Sequence, residues 1–375
     1  MVGRSTPANR ERGVTLIELM IALALGLVLT AIIMQVFLRN RSTYAFNDGL
    51  SLIQENARFA LEHVANSTRM AGSIGCLSNV AVINNLAGAA NPFRDDLVAG
   101  VQGYEATGTN PGQTFAAADV DPAPLDDPDS WAPALPSELA DPALVIPGSD
   151  VVVIRNVSGT SSALVAPFSD EDVLHVGAPV DFLAGEVLVV TDCQKASIFQ
   201  ATSVAATGFG ADVDHDSSAL TPGNAPPGEW GIDQSYGLGS EVARLETIAF
   251  YAGQGENGSP SLYQVRLQRT DDTTSVFVPE ELVEGIDTMQ ARYGLDTNDD
   301  RQVDTWATAD AIDAASSWAD VLSVEITLLA RVPEEYGTEK DEVIHNVGGM
   351  EFDPIDDRRL RKVFSTTIGL RNRLP

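Results

Sequence analysis

Residues 13–38, GVTLIELMIALALGLVLTAIIMQVFL, constrain this chain more than any other stretch. From Leu19 to Leu38 the run is apolar, with Gln35 its polar interruption. It is long enough to cross the hydrocarbon core of a bilayer, which takes about 20 such residues. One carboxylate, Glu18, sits near its start. A charged side chain inside a span costs about 2.5–3.5 kcal/mol on insertion scales, so its presence points to a specific partner. Ahead of it Arg4, Arg10 and Arg12 stand against Glu11, which favours a cytoplasmic placement of that end.

The segment does not have the order of a secretory signal, in which a short apolar core precedes a small-residue cleavage site. Here the small residue, Gly13, comes first, so cutting there leaves the apolar helix on the mature protein. Read in that order, G-V-T-L-I-E resembles the type III signal of type IV prepilins and type II secretion pseudopilins. The resemblance implies cleavage between Gly13 and Val14, N-methylation of Val14, and a fifth-position glutamate at Glu18 that pairs with the N-terminal amine of a neighbouring subunit. Val14 stands where that family usually has phenylalanine. A pair of opposite charges in a low-dielectric medium removes each partner's desolvation penalty only when the two meet, so it rewards correct register.

Beyond the span, Leu50, Ile53, Ala57, Leu61, Val64 and Ala71 recur at helical spacing, with Gln54, Glu55, Arg58 and Glu62 between them. No proline occurs between Pro7 and Pro92, and Gly72 with Gly75 supplies stop signals. The pattern predicts one helix from about Val14 to about Met70. Its first half is apolar all round and its second half packs one stripe on a globular domain. The resulting organisation is a leader over 1–13, a membrane and filament-core half-helix over 14–38, an amphipathic half over 39–72, and a β-rich domain over 73–375.

Within that domain, β-branched and aromatic runs predict strands at Val151–Arg155, Val187–Thr191, Ile198–Ser203, Thr247–Tyr251 and Leu262–Leu267. Further strands are expected at Met289–Leu295, Val321–Leu329 and Val363–Leu370. Residues 105–149, with eight prolines from Pro111 to Pro147, and the Gly-, Pro- and Asp-rich 207–239 read as long loops. The expected class is α+β: a pilin-like long N-terminal helix packed on an antiparallel sheet with long loop insertions. The runs 185–202, 244–253, 281–300 and 359–373 are similar to the C-terminal region of PilW-type minor pilins. Together with the leader and the Gly-Cys-Leu around Cys76, that resemblance touches most of the chain outside the two loops.

The chain has 23 Lys+Arg against 53 Asp+Glu. Removing the leader takes three arginines and one glutamate, leaving 20 against 52 and a net charge of −32. Such a surface repels phosphate, which argues against broad nucleic-acid binding. Cys76 and Cys193 are the two cysteines. On an extracytoplasmic domain they most simply form one disulfide, tying the helix end to the sheet; two buried free thiols are the other reading. Closing so long a loop contributes up to about 4–5 kcal/mol in the chain-entropy view.

The sharpest local motif is the alternating series Asp296, Asn298, Asp300, Gln302 and Asp304. It resembles the first three-quarters of an EF-hand calcium loop, in which alternate oxygens face one hard cation. Arg301 stands where that turn wants glycine, and Ala307 replaces the bidentate glutamate; a solvated acidic turn is the competing reading. Asp212, Asp214 and Asp216 form a second alternating run. His63, His175, His215 and His345 are scattered, and no phosphate-binding or nucleophile-elbow motif occurs, so no enzyme is indicated. The final basic cluster, Arg358, Arg359, Arg361, Lys362, Arg371 and Arg373, is expected to offset the acidic body or to face a neighbouring subunit.

The resemblance implies a minor pilin that starts or supports pilus assembly at or near the tip, and so contributes to motility and adhesion. Its implied partners are other minor and major pilins, the prepilin peptidase, the inner-membrane assembly platform and a tip adhesin. It implies a single-pass inner-membrane protein with a periplasmic domain, later carried to the pilus surface. A minor pseudopilin of a type II secretion system and a calcium-responsive, pilus-anchored adhesin are the rival readings.

Overall fold

A computed structural model describes residues 15–75, 81–88, 91–121, 123–140, 144–166, 173–192, 194–216, 220–225, 235–335 and 340–373. One helix, Leu16–Arg69, runs for 54 residues, about 81 Å at 1.5 Å per residue. Met70 caps its end, and Gly72 and Gly75, both at positive φ, turn the chain away. From Leu16 to Leu38 every residue is exposed. Burial begins at Gly49 and then follows the expected stripe: Ile53, Ala57, Val64 and Ala71 are buried, with Leu50 and Leu61 half-buried. Ala60 and Ala65 join them, and such small residues bring the helix close to the sheet.

Two main sheets receive that stripe. A four-stranded antiparallel sheet has the order Thr305–Ala307, Ile286–Leu295, Val321–Arg331, Arg361–Gly369, and the helix lies across it. The second, of nine strands, is centred on Glu241–Gln254. One edge of that strand is shared, pairing Val187–Thr191 along 241–244 and Pro260–Asp271 along 248–254. A register shift between Ala243 and Leu245, against Val151–Ala163 on the other edge, falls at the changeover. The Ala81–Asn84 strand pairs Lys195–Gln200 in parallel, a departure from an all-antiparallel sheet. Ile53 and Val64 enter one core with Val152, Ile154 and Phe250 of the large sheet and with Met289, Ile326 and Ile368 of the small one. Each such apolar side chain stabilises by about 1.5–3 kcal/mol on full burial.

All eight expected strands are present, most of them longer than their apolar cores. The expected run Ile198–Ser203 is divided between Lys195–Gln200 and Ser203–Ala206. Thr274–Glu284, which pairs Pro260–Asp271, lacked a signal because Pro279 and its glutamates mask the alternation. The proline-rich stretch 105–149 carries Thr114–Ala116, Trp131–Ala132 and a turn of helix at Ser137–Ala140. It packs Trp131, Leu135 and Leu139 beside Phe93, Tyr104 and Tyr251, and the Trp131 indole donates to the Ser149 carbonyl at 2.9 Å. The described part of 207–239 holds the Gly210–Asp214 strand and buried Tyr236.

The helix end is fastened by backbone. The Gly72 N–H donates to the Arg155 carbonyl at 2.8 Å, and the Arg371 N–H to the Arg69 carbonyl at 3.2 Å. A Cβ on Gly100 would lie 2.6 Å from the Gly72 Cα, and Gly100 itself has φ of +65°, so neither demand admits a side chain.

Candidate functional site

At the start of the stem, Thr15 is the N-cap of the helix. Its Oγ1 accepts from the Glu18 N–H at 3.3 Å, while Glu18 Oε2 accepts from the Thr15 N–H and hydroxyl, each at 2.9 Å. This is a capping box, whose signal in the sequence is Thr-x-x-Glu. The carboxylate therefore has local donors in the single chain, and both bonds fall on one oxygen. Gly13 and Val14 lie outside the described residues, as do Cys76 and Cys193.

The alternating loop after Ile286–Leu295 folds around its first residue. Asp296 Oδ1 accepts from the N–H groups of Asn298 and Asp300, both at 3.2 Å, and Oδ2 from Arg301 at 2.7 Å. Asp304 accepts from the Thr297 N–H at 2.8 Å and from the Asn298 amide at 3.3 Å, and Asp300 from the Gln302 N–H at 2.9 Å. Arg301 adopts φ of +62°, so the turn that wants glycine forms with arginine in it. The carboxylates are engaged by the loop's own donors, and among the described residues no three acidic, histidine or cysteine side chains converge as a metal group. In the second acidic run, Asp212 pairs His175 Nδ1 at 2.6 Å and Asp214 accepts from the His215 N–H at 2.8 Å.

The C-terminal arginines divide by position. Arg361 is enclosed, donating from Nε to Asp287 Oδ2 at 2.7 Å and from Nη1 and Nη2 to Asp357 at 2.6 and 3.0 Å. Arg331 holds the other Asp287 oxygen at 3.0 Å, and Arg359 a second contact to Asp357 at 2.9 Å. Burial alone would raise the Asp357 carboxyl, but hydrogen bonds from Arg361 and Arg359 hold it well below the usual carboxylate range. Arg373 caps the carbonyls of Trp318 at 2.8 Å and Val321 at 2.9 Å. Arg359 and Arg361 thus pair with carboxylates and Arg373 with backbone carbonyls, whereas Arg358, Lys362 and Arg371 are exposed. His63 is absorbed in packing, bonded to Gln264 at 3.0 Å and stacked on Phe59.

A cluster that the sequence did not announce lies between the two sheets. Asp150 is buried and accepts from the N–H groups of Ala106 and Ala291, both at 2.9 Å. Glu105 is buried nearby, with Asp310 on the adjoining short helix. Burial raises both the Glu105 and Asp150 carboxyls, and mutual repulsion with Asp310 adds to it. Raised native values mean that the folded chain binds these protons more tightly than the unfolded one. Their contribution to stability is thus fully present below the unfolded carboxylate value, about 4, and is lost as pH rises through the native values. Chemical denaturation across that range should show stability falling with pH, and Glu105→Gln should flatten the slope. An unchanged slope in that variant would refute the assignment.

Residues 8–34 match the prokaryotic N-terminal methylation motif. Residues 249–372, about a third of the chain, match the family described as type IV pilus-assembly protein W. Of the four C-terminal runs, 281–300 falls wholly and 359–373 all but wholly within that region, 244–253 falls half within it, and 185–202 lies outside it. No curated protein matches the chain. Among solved structures, a type IV-like pilin from Thermus thermophilus is similar over 52% of this chain and 86% of its own, at 13% identity and a TM-score of 0.22. That superposition is too loose to carry a comparison of residues. The methylation match spans Glu18, and the pilus-assembly match covers the small sheet together with the Pro260–Asp271 and Thr274–Glu284 strands of the large one; both matches are consistent with a PilW-type type IV pilin.

Proposed function

We propose that this chain is a minor pilin, a structural subunit without catalysis that is processed at Gly13, held in the inner membrane by its stem and then built into a type IV pilus at or near its tip. The observation that carries the reading is the methylation motif over 8–34, set on a 54-residue helix whose first 23 residues are all exposed. An almost wholly apolar surface of that length needs lipid before assembly and other helices afterwards. The path implies its partners: the prepilin peptidase, the assembly platform, major and minor pilins, and an adhesin at the tip. The PilW match favours a pilus over a secretion pseudopilus.

Intact mass spectrometry of the protein purified from its membrane is the test. The expected mature species begins at methylated Val14 and gains two mass units on reduction, from a Cys76–Cys193 disulfide. An uncleaved leader or another N-terminus would overturn the processing, and an unchanged mass on reduction would overturn the disulfide alone.

A further inference from the structure

The hairpin of His345–Val347 and Met350–Asp353 pairs in parallel with Thr114–Ala116, forming a three-stranded sheet beside the two main ones. In that register Phe352 stands opposite Phe115, and their rings stack at 5.9 Å with an interplanar angle of 23°. The Phe115 ring also lies on Gly148, where a side chain would collide with it, so the ring is held in place. Against these rings is a cavity of about 290 Å³. Ile146 and Pro147 add to its apolar wall, and Val120 and Ile355, 37% and 44% exposed, stand at its mouth. None of its described lining residues belongs to the stem.

The opposite wall is cationic. Arg331, Arg359 and Arg361 line it, and Asp287 is the acid among the described lining residues. Asp287 divides its two oxygens between Arg331 at 3.0 Å and Arg361 at 2.7 Å. Asp341 and Asp357, which engage Arg361 and Arg359, do not line the cavity, and neither do Glu351 and Asp353 of the hairpin. Arg331 is therefore the guanidinium left short of a counter-charge. Its side chain is 10% exposed, and its buried Nε has no hydrogen-bond partner among the described residues. A buried N–H without an acceptor is costly, and more so on a charged group. Burial lowers the Arg331 pKa, and Arg359 and Arg361 beside it add to that against the pull of Asp287. An anion in the cavity would relieve both deficits.

We propose that this cavity binds a carboxylate carried on a compact apolar body, aromatic or branched, whose oxygens accept from Arg331 while the body lies against Phe115, Phe352 and Ile146. A guanidinium suits a carboxylate because its planar fork presents N–H groups in matching geometry. The volume stands at the small end for ligand sites, so it selects a single ring or branched side chain over a larger molecule. Two sources carry this chemistry: a free small acid and the C-terminal residue of a polypeptide.

Calorimetric titration of the full chain in detergent micelles tests this with phenylacetate, with 2-phenylethanol, which lacks the charge, and with acetate, which lacks the ring. Phenylacetate should bind saturably at one site, about tenfold or more tightly than either, the margin of a charge-assisted hydrogen bond. Arg331→Gln should erase the preference for phenylacetate over 2-phenylethanol. That change also touches the Asp287 pair, so Val120→Trp supplies a variant outside the network. It should block the mouth and abolish binding while its denaturation midpoint stays that of the parent. Gly-Gly-Phe with a free C-terminus, set against its C-terminal amide, separates the sources. Binding of the free-acid peptide at least as tight as that of phenylacetate assigns the site to a chain end, and weaker binding or none assigns it to a small acid. No saturable binding of phenylacetate or the peptide, equal affinity for phenylacetate and 2-phenylethanol, or binding that survives Val120→Trp would overturn the site.

Discussion

Arg361→Met should lower the unfolding free energy by about 3–5 kcal/mol, the range for removing one partner of a buried charge network. The loss has a specific origin. The Arg361 side chain is 1% exposed and is the group shared by Asp287, Asp357 and Asp341, whose side chains are 6%, 10% and 13% exposed. Taking away the guanidinium leaves these carboxylates facing one another, with Arg331 holding one contact to Asp287 and Arg359 two to Asp357, from its backbone N–H and its Nη1. Arg361→Lys should fall between, since an ammonium cannot reproduce the fork that holds Asp357 through two nitrogens. The double variant Arg361→Met, Asp287→Asn should recover part of the loss, because fewer buried charges are then stranded. Denaturant titration in detergent micelles measures all three. A loss below about 1 kcal/mol for Arg361→Met would place the network with exposed pairs.

Glu18→Ala should leave cleavage at Gly13 intact and abolish piliation. The structure makes a sharper comparison available, because Glu18 both caps the helix and carries the charge. Losing the cap alone should cost about 1 kcal/mol of helix stability, too little to stop assembly. Glu18→Gln keeps an oxygen that accepts from the Thr15 N–H but has no charge to offer a neighbour's amine. If the ion pair sets docking register, Gln should fail as Ala does; if capping is the whole role, Gln should assemble normally. Counting surface pili by electron microscopy, with the mature N-terminus checked by mass, separates the two. Normal piliation of the alanine variant would remove Glu18 from assembly altogether.

The stem was legible in full because its signals are local. An apolar run, a stripe at spacings of three and four, an absence of proline and a glycine stop all act within one or two turns. The strand cores were legible for the same reason, as in Val187–Thr191, where apolar and β-branched residues fill five consecutive positions. The candidate site was only half legible. Glu18 could be placed from its neighbours, but its bond to Thr15 depends on where the helix starts. In the acidic loop the alternating oxygens could be counted, yet whether they face one point or their own backbone N–H groups depends on the turn at Asp299 and Arg301, both at positive φ. The basic tail could be given a sign but not a direction.

The sequence by itself determined the stem, the place of the one carboxylate in its apolar half and the β-rich character of the globular domain, since each is written in residues a few positions apart. Only the tertiary structure decided how the Glu241–Gln254 strand divides its edge, that Arg361 meets Asp287 across 74 residues, and that Asp150 enters the core between Ala106 and Ala291. The physical reason is that register and charge pairing are settled by groups far apart in the chain. Burial selects among their many combinations only once the sheets have closed over them.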